Sequence, residues 1–120
     1  MSQARYDWWY NAVWMVRNYP TRKQEHEAFC KHLHETASPR MRQMAPAKQR
    51  EYDAVTRAIE VTRLLPDGDK RVELIRRMYW SGRKLTINAV IMSVGVAECT
   101  GKRWHGAFIR LVGECFGYAS

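Results

Sequence analysis

Four prolines cut this chain into segments whose apolar residues recur at helical spacing, and this punctuation restricts the fold more than any other feature. Proline has no N–H to donate, and the residue before it avoids the α region, so helices stop or restart at these points. Between the breaks the apolar positions fall at i, i+3 and i+4 and do not alternate. The expectation is an all-α protein of about six helices.

The opening stretch, Arg5 to Tyr19, places Tyr6, Trp9, Val13 and Val16 on one row, with Tyr10 and Trp14 on a second. A helix apolar over so much of its circumference needs cover on more than one side. Trp8, Trp9 and Trp14 are therefore candidate contacts of a homodimer, and packing onto the second and third helices is the alternative. After Pro20, Thr21 to Gln24 has the form of a capping box. The second helix is expected to reach about Ala37 and stop at Ser38–Pro39. The basic stretch "SPRMRQMAP" reads as a linker, dividing an N-terminal helical segment (1–46) from a C-terminal domain (47–120).

A third helix is expected over Ala47 to Leu65, with Tyr52, Val55 and Ile59 on one row and Ala54, Ala58 and Val61 on another. Pro66-Asp67-Gly68 breaks it. The fourth helix begins near Asp69, whose carboxylate is a candidate cap, and turns Val72, Ile75 and Tyr79 inward beside Leu74 and Met78. Ser81–Gly82 ends it. Thr86 has the chemistry of an N-cap, with Leu85 placed to staple onto Val90. Gly95 stands where a helix end needs a left-handed residue. A last helix then starts near Ala97 or Glu98, carries Trp104, Phe108, Leu111, Val112 and Cys115 inward, and closes at Gly117–Tyr118. A short helix, a glycine turn and a second amphipathic helix is the spacing of a DNA-binding helix-turn-helix. An ordinary αα-hairpin, or a short strand over "IMSVGV", has the same local pattern.

Charge points the same way. The chain holds 20 basic and 12 acidic residues, a net charge of +8, and its pI is near 9.8. Such a balance favours an anionic partner, nucleic acid first. The charge is not blocked: residues 1–65 carry 11 basic and 7 acidic groups, and residues 66–120 carry 9 and 5. No apolar run of membrane-spanning length occurs, and the N-terminus lacks the form of a signal peptide. Cys30, Cys99 and Cys115 are odd in number and far apart, which fits reduced thiols and a cytoplasmic location. His26, Cys30 and His34 share a helix face, but the outer two lie about 12 Å apart along the axis, too far to share one metal. No triad or acid/base pair is recognisable. Neither enzymatic activity nor a cofactor is expected.

Residues Tyr52 to Tyr118 resemble the C-terminal part of phage transcriptional regulators of the RinA and ArpU type, which are similar in turn to region four of bacterial sigma factors. The resemblance lies in "AIEVTRLLPDGDKRVELIRRMYW" and "TINAVIMSVGVAECTGKRWHGAFIRLVGECFGY", and "RYDWWYNAVWMVRNYP" is similar to the aromatic opening helix of that group. It implies a regulator that binds double-stranded DNA, activates late genes and recruits bacterial RNA polymerase. Family members usually carry a capping serine where this chain has Ala97, and a branched apolar residue where it has Gly101. Such a cap is worth about 1 kcal/mol; Gly101 in turn offers a close approach between the last two helices.

On this reading the last helix presents Glu98, Cys99, Thr100, Lys102, Arg103 and His105 to DNA. Arg103 suits bidentate contact with guanine, and Lys102 suits phosphate. Arg83 and Lys84 precede the first helix of the pair, where a backbone clamp is expected. Two other functions compete: a DNA-packaging protein of the small-terminase kind, and a protein-binding adaptor or inhibitor that does not touch DNA.

Overall fold

The computed structural model describes residues 7–33 and 45–118. These form six α-helices: α1 (Trp9–Arg17), α2 (Tyr19–Leu33), α3 (Pro46–Arg63), α4 (Gly68–Ile75), α5 (Ile87–Val94) and α6 (Glu98–Phe116). A single π-helical turn, Arg76–Trp80, continues α4. No strand occurs among the described residues. The expected end of the second helix at Ala37–Ser38–Pro39, most of the linker, Tyr6 and His34 lie outside them.

Two helix starts differ from expectation. Pro20 does not break the chain; it sits in the first turn of α2, where a missing N–H costs nothing because first-turn amides have no intrahelical partner. The Arg22 N–H donates to the Asn18 carbonyl at 3.1 Å, so the helix begins before Thr21 and the capping box is not used. Asn18 makes the bend, its side chain donating back to the Trp14 carbonyl at 2.8 Å. Likewise α4 starts at Gly68, after Asp67 in a left-handed conformation (φ 58°), so Asp69 lies inside the first turn and is not the cap. Pro46 opens α3 from its first turn.

The core forms two clusters. The larger gathers Trp8, Trp9, Ala12, Met15 and Val16 from the N-terminal segment, Val55 and Ala58 from α3, Ile75 from α4, and Phe108, Ile109 and Val112 from α6. It runs straight across the expected boundary at residues 46 and 47. Smaller and adjacent, the second cluster joins Leu74, Val90, Ile91 and Trp104 beneath α5 and α6. Each fully buried Val, Leu, Ile, Phe or Met side chain among them contributes about 1.5–3 kcal/mol.

Trp8 and Trp9 are consumed inside the chain. Their exposures are 8 % and 6 %, which corrects their assignment to a dimer interface; Trp14, at 48 %, remains open. Their partner is chiefly α6, not the second and third helices. The Trp8 ring lies on Gly113 and stacks on Tyr118 at 5.5 Å. A Cβ at Gly113 would stand 2.2 Å from that ring. Gly113→Ala therefore gains helix propensity of about 1 kcal/mol but forces a packed indole to move, at a cost of about 2 kcal/mol. The expected outcome is a lower melting temperature by circular dichroism; a raised one would show that the indole has room to shift.

Candidate nucleic-acid interface

The α5–α6 pair is shaped by local chemistry at each end. The Thr86 hydroxyl accepts from the Ala89 N–H at 3.1 Å and caps α5 as its position requires. Leu85, the proposed staple, stays 41 % exposed while Val90 is buried. At the other end Gly95 adopts φ 83°, which an L side chain resists, and its N–H donates to the carbonyls of Ile91 and Met92. Val96 re-enters the second cluster, and the chain is helical again from Glu98. Ala97 is extended and supplies no side-chain cap to α6.

Close packing compensates for that missing cap. Gly101 is buried against Ile91 of α5, and a Cβ there would stand 2.5 Å from the Ile91 side chain. Trp104 sits among Leu74, Val90 and Ile91, with the Arg71 guanidinium 5.2 Å from its ring centre. Phe108 anchors the next turn in the larger cluster. The inward side of α6 is thus fixed by two aromatic rings and a glycine contact.

The π turn braces the pair from behind. Arg77 donates to the Ser93 carbonyl at 2.7 Å and to its hydroxyl at 3.0 Å, at the C-terminal end of α5. It also pairs with Glu73 at 2.6 Å, a carboxylate it shares with Arg76, whose Nε donates to it at 2.8 Å. Hydrogen bonds from Arg76 and Arg77 hold the Glu73 carboxyl well below the usual carboxylate range, at about 2.

The outward face of α6 holds Glu98, Cys99, Lys102 and Arg103, all exposed, with Thr100 half-buried on its flank. Lys102 lies 3.5 Å from Glu98, a solvent-exposed pair of small energetic weight. Arg103 makes no ion pair or hydrogen bond with any described residue. Arg83 and Lys84 are exposed in the connection that precedes α5, apart in sequence from the α6 face. Ala107 and Arg110 continue the exposed face and were not among the expected contacts, although their spacing of four and seven from Arg103 marks them. Arg110 pairs with Glu114 at 3.6 Å.

His105 does not belong to this face. It is 6 % exposed, and its Nε2 lies 2.7 Å from the Tyr79 hydroxyl. Position 105 follows Gly101 by one turn and so shares its buried side; the outward assignment is corrected. Its Nδ1 is buried without a partner among the described residues. Burial pushes the imidazole down to about 4 and the Tyr79 phenol up to about 12.

No group of three or more metal-ligating side chains lies together among the described residues. His26 and Cys30 are 3.6 Å apart on α2. None of the described helices is long and apolar enough to cross a membrane. Comparison with protein-family models, curated proteins and solved structures returns no match.

The buried imidazole sets a pH dependence. Folding favours neutral His105, so the unfolded chain takes its proton first, near pH 6.5, and the native form only near 4. Stability from this group is complete above pH 6.5 and is lost as pH falls towards 4, by about 3 kcal/mol in total. Urea denaturation at pH 7 and pH 4 should show a loss larger by about that amount in the wild type than in His105→Phe. Equal losses would place the imidazole in contact with solvent.

Proposed function

We propose that this chain is a sequence-specific double-stranded-DNA-binding regulator of transcription, of phage or prophage origin, in which α5 and α6 act as a helix-turn-helix. The observation that carries the reading is the state of Arg103. It projects from the exposed face of α6, unpaired among the described residues, while Trp104 and Phe108 clamp the opposite side. A helix anchored this way offers the free guanidinium to the paired acceptors of a guanine edge in the major groove.

The other groups divide the work by chemistry. Lys102 neutralises phosphate, exchanging its exposed partner Glu98 for a backbone anion. Cys99 and Thr100 flank it at the start of α6, where an uncapped helix N-terminus favours negative charge. Arg83 and Lys84 approach the backbone from the connection before α5. The overall charge of +8 supplies long-range attraction. Recruitment of bacterial RNA polymerase to late promoters, in the cytoplasm of a bacterial host, follows from the resemblance to RinA and ArpU regulators. A homodimer on paired half-sites fits the small size of one such module, about 600–1,000 Å² of interface.

Selection from random duplex DNA, followed by binding titrations against salt, tests the reading. The selected sequence should bind with a steep salt dependence, its slope reduced by about one in Lys102→Ala. Arg103→Ala should cost about 1–3 kcal/mol on that sequence and relax the preference at one base pair. Absence of retardation on any duplex at low salt would favour a protein-binding adaptor, and a large ring by native mass spectrometry a packaging component.

A further inference from the structure

A cleft of about 490 Å³ opens on α2, α3, α4 and the π turn, a size typical of small-molecule sites. It belongs to none of the surfaces described above. Its apolar wall is formed by Tyr19, Ile59, Val72 and Trp80. Contacts within the protein hold this wall in place. The Tyr19 ring stacks on Tyr52 at 5.6 Å and meets Trp80 at 5.3 Å, while its hydroxyl lies 3.1 Å from that of Thr56. The Trp80 indole N–H donates to the Val16 carbonyl at 2.7 Å, which fixes the plane of the ring.

The mouth is cationic. Lys23, Arg63 and Arg76 line it against one carboxylate, Glu60. Arg76 is committed to Glu73. Lys23 and Arg63 are exposed, and neither pairs with a carboxylate among the described residues. Two uncommitted cations beside a fixed aromatic wall match a ligand with a flat apolar body and a negative end. We infer that this cleft binds a small planar aromatic acid, its ring against Tyr19 and Trp80 and its carboxylate between Lys23 and Arg63.

The inference stands independently of DNA binding and has its own test. The intact protein, labelled with ¹⁵N, is titrated with 2-naphthoate while the tryptophan indole N–H signals are followed. The Trp80 signal should shift saturably, and that of Trp104, in the other core cluster, should stay in place. The neutral analogue 2-naphthalenemethanol should bind about tenfold more weakly, as should 2-naphthoate to Lys23→Glu/Arg63→Glu. Both substituted positions are exposed, so helical circular dichroism should be unchanged. No saturable shift, equal shifts at Trp80 and Trp104, or affinities indifferent to ligand charge and to the double substitution would each overturn the proposal.

Discussion

The widened turn at Arg76–Trp80 is the joint on which the arrangement of this molecule depends. Three side chains of one turn reach three different helices. Arg77 grips the end of α5, Tyr79 meets His105 of α6, and Trp80 donates to the Val16 carbonyl near the end of α1. An α-helix advances about 100° per residue, and a turn closed by i→i+5 bonds holds more residues and advances less, so these groups leave in directions a regular helix would not give them. Such a π turn is a local irregularity, and here contacts to three helices surround it. The two core clusters meet here, since Ile75 belongs to one and Leu74 to the other.

The basic residues sort into two populations by what they touch. Arg50, Arg71, Arg76 and Arg77 serve the fold. Arg50 donates to the Phe116 carbonyl at the end of α6, Arg71 donates to the Pro66 carbonyl beneath Trp104, and the other two share Glu73. Arg103, Lys23 and Arg63 have no such partner among the described residues. Net charge alone does not distinguish these groups, because a guanidinium satisfied by carbonyls and one facing water count equally. The unsatisfied ones can exchange water for a ligand at little cost, and they anchor the two candidate binding surfaces.

Features decided within four or five residues were legible beforehand. Thr86 caps α5 and Gly95 ends it, because a hydroxyl facing a free amide and a residue without Cβ at positive φ are local necessities. Gly117 closes α6 for the same reason. The inward rows of α3 and α6 followed from the period of 3.6. The errors have a common cause. Pro20 was read as a break because the pattern does not say whether a proline falls in the first turn or later. Residue type suggests an outward contact for His105, yet position on the helix decides burial. For Trp8 and Trp9 the sequence leaves a partner and the interior both open, because nothing local announces that Gly113 and Gly106, some hundred positions away, open a groove for them.

The amino-acid order by itself determined that this chain is helical, where most of its helices begin and end, and which side of α6 carries Lys102 and Arg103. Those properties come from backbone propensity, capping and periodicity, all short-range. Tertiary structure alone decided that a histidine on that helix is buried against Tyr79, that the N-terminal tryptophans belong to the interior, and that Tyr19 and Trp80 converge beside Lys23 and Arg63. These outcomes depend on distances between residues remote in the chain, set by the mutual packing of glycine clefts and aromatic rings, and no local pattern encodes them.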